Sequence, residues 1–118
     1  GGRLLGYVHG ITEKARFGGM QLVISTDPGG VITGFYYQRL LSPEAKKLRD
    51  PSFTRRFIGL TLADFYRGEP QKRIHDPTGH SRAEFQSTLR GLLKNLVLLD
   101  AFKLDNKYDA VYRRIKGK

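Results

Sequence analysis

The sequence predicts an α+β domain: an antiparallel β meander, short helices, and one long C-terminal helix packed on the sheet. Three observations predict it. Residues 4–41 hold three apolar runs broken by turn residues. Residues 42–68 carry repeated helix-start signals. Residues 82–102 carry a single apolar stripe at the helical period.

The first run, "LLGYVHGIT", and the second, "GMQLVISTD", alternate enough to read as strands, with Met20, Leu22 and Ile24 on one face. "DPGG" at 27–30 is a turn cluster of the kind that reverses a hairpin. The third run, "VITGFYYQRLL", is rich in β-branched and aromatic residues. Gly34 within it predicts a bulge or a close approach of backbone or ligand. In "SPEAKKLRD", Ser42 suits an N-cap and Pro43 the first helical position, and that helix should end before Pro51. Phe53, Phe57 and Ile58 fall at helical spacing, and Gly59 stops the turn. Thr61 with Asp64 forms a capping pair for another short helix, with Phe65 and Tyr66 packing.

"EPQKRIHDPTGH" reads as a polar connector. Beyond it, Phe85, Leu89, Leu92, Leu93 and Leu96 repeat at three and four residues, which marks one helical face. Gly91 weakens that helix slightly. Residues 103–118 form a basic tail that either frays into solvent or adds a last turn or strand through Tyr108, Val111 and Ile115. The whole chain of 118 residues reads as one domain. Gly1-Gly2 looks like a cloning remnant, so a removed leader or anchor is compatible with what remains.

Hydrophobic residues make up 39% and charged residues 27%, a globular balance. No apolar run nears the roughly 20 residues that span a bilayer. The absence of cysteine excludes disulfides, thiolate metal sites and cysteine nucleophiles. His9, His75 and His80 are not at metal-ligand spacings. The net charge of +10 attracts nucleic acid, anionic lipid or an anionic ligand. Phe35, Tyr36 and Tyr37 could offer a stacking platform to single-stranded nucleic acid. Consecutive strand residues alternate faces, however, so Tyr36 stands opposite the other two. No RNP-like or helix-turn-helix pattern accompanies them. Ser81 and His80 are sequence neighbours with no nucleophile-elbow motif, which argues against a serine hydrolase.

The stretch "IHDPTGHSRAEFQ", residues 74–86, gathers the most hydrogen-bonding chemistry. Ser81 and Glu84 form an S-x-x-E capping box for the long helix. The same segment is a plausible seat for a phosphate. Backbone N–H groups at a helix start favour an anion. Gly79 allows close approach, Thr78 and Ser81 offer hydroxyls, and Arg82 offers charge.

Taken in order, "DPGGVITGFYYQ", "LLSPEAKKLRDPSFTRRFIGLTLADF" and "DPTGHSRAEFQ" resemble the pattern of the FMN-binding domain family. That family includes the flavin subunits of Rnf and sodium-pumping quinone reductase complexes and NosR-like membrane regulators. The resemblance spans about residues 4–100. It implies an FMN-binding electron-transfer domain rather than a stand-alone catalyst, with the phosphate held at residues 78–82. It also implies that Ser42 and Pro43 border the flavin ring; His75 and His80 are candidates to tune a flavin or relay a proton, with a plain surface role as the commoner outcome. Phe57 and Gly59 match the family's F-x-G pair. In the family a threonine at the position of Ser81 can carry FMN covalently. Here Ser replaces that threonine and His80 replaces the preceding alanine, so noncovalent FMN is the favoured expectation. The resemblance further implies a membrane redox partner with iron–sulfur or quinone sites and an extracytoplasmic location on a bacterial membrane. The alternative is a flavin-free docking or sensory module of the same fold.

Overall fold

The computed structural model of the protein describes residues 5–79 and 82–116. Three strands form an antiparallel sheet in the order β1-β2-β3: β1 (Tyr7–Ala15), β2 (Gly18–Thr26) and β3 (Ile32–Arg39). Among the described residues five helices of four to eight residues accompany one long helix: α1 (Ala45–Leu48), α2 (Pro51–Thr54), α3 (Leu62–Tyr66), α4 (Glu69–Arg73) and α6 (Asp109–Lys116). The long helix, α5 (Arg82–Lys103), lies on the sheet. This is the α+β arrangement expected.

The first hairpin turns tightly through Arg16 and Phe17, pairing Ala15 with Gly18. Pairing carries β1 on through Glu13 and Lys14, beyond the Thr12 end expected from hydropathy, because ladder hydrogen bonds do not need apolar side chains. The "DPGG" turn works as expected: the Asp27 carboxylate accepts from the Gly29 and Val31 amides at 2.9 and 3.0 Å. The expected irregularity at Gly34 is a bulge, for Ser25 pairs with Gly34 while Thr26 pairs with Ile32, leaving Thr33 extra. A second bulge, at Gln38, had no glycine to announce it.

Met20, Leu22 and Ile24 are fully buried together on the face that receives α5. Phe35 and Tyr37 share their burial, while Tyr36 points to the open face. Phe35, Phe53 and Phe57 pack edge-to-face, with centroids 5.1–6.4 Å apart. The stripe of α5 faces them, with Phe85, Leu89, Leu92 and Leu96 buried.

Four local expectations are corrected, and the basic tail takes the helical one of its two readings. Ser42 caps a turn and not a helix: its Oγ accepts from the Glu44 amide at 3.0 Å, and α1 begins at Ala45. Pro43 therefore precedes the helix. Ile58 leaves the helical path with ψ 131° and is half exposed, because the turn ends at Phe57. The polar connector contains α4, whose start follows Gly68 in the left-handed region (φ +73°) with Pro70 in its first turn. It also buries Ile74. The basic tail folds as α6 through Lys116, held by the Asp100 carboxylate, which accepts from the Tyr108 amide at 3.2 and 3.3 Å. The Thr61–Asp64 capping box is present as expected.

The two sheet edges differ. The outer edge of β3 is covered. Gly59 donates to the Ile32 carbonyl, Ile32 donates to Leu60, and Arg49 donates to the Tyr37 carbonyl at 2.7 Å. The outer edge of β1 has no partner strand among the described residues.

Candidate functional site

The start of α5 is fixed from beneath by a relay of hydroxyls. Tyr37 is buried, which pushes its phenol well above the ordinary value of 10.0, so it stays protonated and can donate. Its Oη lies 2.9 Å from Thr88 Oγ1, and Thr88 in turn donates to the Glu84 carbonyl at 2.8 Å. These contacts lock the first turns of α5 onto β3. The loop before α5 closes on itself. Asp76 Oδ1 accepts from the Thr78 amide at 2.8 Å and from its hydroxyl at 2.6 Å. Asp76 lies close enough to Tyr37 for its charge to help raise that phenol. Its other oxygen, Oδ2, is buried without a hydrogen-bond partner. Gly79 then turns through the left-handed region at φ +71°, and an added Cβ there would meet nothing within 4 Å.

Two cavities adjoin at this point and share Gln71, Arg82 and Phe85. One, about 380 Å³, is lined by Lys72, Arg73, His75, Asp76 and Gly79 with the shared residues. Its three Lys and Arg side chains face a single carboxylate. The other, about 270 Å³, is walled by Phe65, Phe85, Leu89 and Leu93 on one side and by Gln71, Arg82, Gln86 and Arg90 on the other. Together they offer one cationic end and one end with an apolar wall and a polar rim, within the size range of small-molecule sites.

Of the residues expected at the site, Gly79 and Arg82 come together, and His75 joins them. Thr78 is buried and supports the loop from inside. His80 and Ser81 lie outside the described residues, and so does the Ser81 half of the expected capping box; Glu84 is fully buried. Ser42 and Pro43 are not among the residues lining either cavity. Phe57 is plain core, and Gly59 serves the β3 edge at φ +93°. Lys72, Arg73 and Gln71 were not anticipated, since only the folding of α4 brings them beside α5.

A second polar seam joins α5 to β1. Glu13, almost wholly buried, accepts from Lys94 at 2.8 Å and Arg90 at 3.3 Å. Burial pushes the Glu13 carboxyl up, but the hydrogen bonds and charges of Lys94 and Arg90 outweigh it and hold the group below its usual range. His9 and Asn95 add a reciprocal pair. The His9 ring meets Asn95 Oδ1, and Asn95 Nδ2 donates to the His9 carbonyl at 3.0 Å. Both seams orient α5, and Arg90 of the second also lines the 270 Å³ cavity. Among the described residues no cluster of His, Asp or Glu could hold a metal. No helix there is long and apolar enough to cross a membrane.

Comparison with protein-family models, with curated proteins and with solved structures finds no match for the chain.

Proposed function

We propose that this protein is an FMN-binding electron-transfer domain whose phosphate site is the start of α5. One observation carries the reading: a cationic cavity meets, at Arg82 and Phe85, a second cavity with an apolar wall of Phe65, Phe85, Leu89 and Leu93. FMN has matching halves, a phosphate on a polar ribityl chain and a flat apolar ring. Lys72, Arg73 and Arg82 fit the dianionic phosphate. Phe65, Phe85, Leu89 and Leu93 fit ring contacts, and the unpartnered Asp76 Oδ2 suits a hydroxyl donor. When bound, the flavin supplies the redox chemistry. The chain's own work is to hold the anion, orient the ligand through the rigid start of α5, and limit water on the apolar side. Motif resemblance supports the same ligand, and it alone supports a membrane redox partner with iron–sulfur or quinone sites on the extracytoplasmic side.

The test is titration with FMN and with riboflavin, read by flavin fluorescence and visible absorption. FMN should bind, and riboflavin, lacking the phosphate, should bind at least tenfold more weakly. Arg82→Ala should weaken FMN by about tenfold or more, the scale of one charge-assisted hydrogen bond. Acid precipitation of flavin-loaded protein should release the flavin. Colour retained in the pellet and lost on Ser81→Ala would assign a covalent link. If neither flavin binds at up to about 1 mM, the weak end of specific association, the flavin reading fails and the flavin-free docking module of the same fold stands.

A further inference from the structure

The C-terminal helix carries a second surface unrelated to the flavin reading. Around α6 and the residue before it, Tyr108, Val111, Tyr112 and Ile115 fall on one arc at i, i+3, i+4 and i+7. Only part of that arc is covered. Tyr108 is buried and Val111 packs on the core, and Tyr112 meets Tyr66 of α3 at 5.1 Å between centroids. Yet Tyr112 remains 41% exposed and Ile115 36% exposed. An open groove of about 490 Å³ beside them is lined by Tyr66, Arg67, Val111, Arg114 and Ile115, without an acidic residue.

Cations border the uncovered arc on both sides. By helical angle Arg114 flanks Val111, and Lys116 flanks Tyr112, with Lys116 Nζ 5.9 Å from the Tyr112 ring centre. Arg113 is paired with Asp109 at 2.9 Å and contributes less free charge. Apolar side chains framed by long basic ones suit a plane whose interior is oily and whose surface is negative. The basic stems lie along the apolar face while their heads reach outward.

We propose that α6, with Arg67 at the end of α3, seats the protein on an anionic lipid bilayer surface. Charge complementarity selects this occupant, because the chain carries +10 and the groove is lined by two arginines and no acid, with Asp109 nearby already paired to Arg113. The partly exposed Ile115 and Tyr112 favour a bilayer over a nucleic acid. A polynucleotide has no oily interior to receive Ile115, and the Tyr112 ring already lies against Tyr66 and Lys116.

The experiment is co-sedimentation of the full chain with large vesicles, either phosphatidylcholine alone or with roughly one-third phosphatidylglycerol. The protein should partition onto the anionic vesicles, far less onto the neutral ones, and should be released as salt rises from about 0.05 to about 0.5 M. Charge reversal at Arg114→Glu with Lys116→Glu should lower partitioning about 25-fold or more, at about fivefold per cation lost. Ile115→Ser should lower it about fivefold. Lys14→Glu with Arg16→Glu, at the distant β1–β2 turn, makes the same change in net charge and should retain most binding. All these side chains are exposed, so circular dichroism and thermal midpoint should stay near the parent's. Equal loss in both double variants, or no preference for the anionic vesicles, overturns the proposal. So does binding of an oligothymidylate that matches the anionic vesicles in affinity and ignores Ile115→Ser, which would leave a plain polyanion surface.

Discussion

At the residue scale, Gly91 shows how a weak point in a helix can be a necessity of packing. In the sequence it is a flaw in the best helix. In the fold a Cβ at that position would lie 2.1 Å from Leu22 Cδ1 and 3.4 Å from Glu13 Cβ. Leu22 is fully buried, so its side chain can yield only by shifting against the core around it. Gly91→Ala therefore sets about 1 kcal/mol of helix propensity against overpacking of about 1–3 kcal/mol. The expected balance is a net loss of up to about 2 kcal/mol, read as a lower urea midpoint. An unchanged or higher midpoint would show that helix and strand separate easily. Nothing within the helix foretold this, because the contact spans 69 residues from Leu22 to Gly91. The same holds for His9, whose partner Asn95 is 86 residues away. Side chains that matter through a distant neighbour leave no local pattern. Met20, Leu22 and Ile24 were legible because the pleat alone assigns their face.

At the scale of elements, capping chemistry was readable where both halves of the cap are close in sequence. Thr61 and Asp64 made their box as expected, with the Thr61 amide donating to Asp64 Oδ2 at 2.8 Å. Asp64→Ala should cost about 1 kcal/mol, since a five-residue helix has little else to define its start. A thermal melt of the variant checks it, and an unchanged midpoint would mean that Phe65 and Leu62 packing alone fixes α3. Ser42 misled because its hydroxyl closed a turn two residues too early for the helix. The connector misled in the opposite sense, since α4 lacks an apolar stripe and forms behind a left-handed Gly68. That short helix delivers Lys72 and Arg73 to the candidate site. Half of the site was therefore legible, namely Gly79 and Arg82 at the start of the strong helix. The other half depended on a turn of helix with no signature of its own.

At the scale of the whole molecule, α5 is fastened to the sheet by an apolar face and by the Glu13 clamp, and the clamp responds to acid. The Glu13 carboxyl is held below its ordinary value of about 4.5. A depressed carboxylate adds stability that is full above the unfolded value and lost as pH falls through the folded one. Stability should thus decline below about pH 4.5. Glu13→Gln should be less stable than the parent at pH 7 by about 1–2 kcal/mol, a modest figure because Arg90 and Lys94 are half exposed. The gap should narrow toward pH 3, and paired melts at the two pH values decide it. A gap of constant size would mean that Glu13 acts through shape and not charge.

The unequal edges of the sheet have a consequence for self-association. Open-ended fibre growth needs two faces on each copy, one to receive and one to offer. Among the described residues Gly59, Leu60 and Arg49 reach the β3 side, whereas β1 meets no further strand and takes one side-chain donor, Asn95, at the His9 carbonyl. Two copies meeting along β1 would use up the more open ladder of each among the described residues. Edge-to-edge contact between folded copies is thereby self-limiting: it ends at a symmetric pair and cannot run on as a filament.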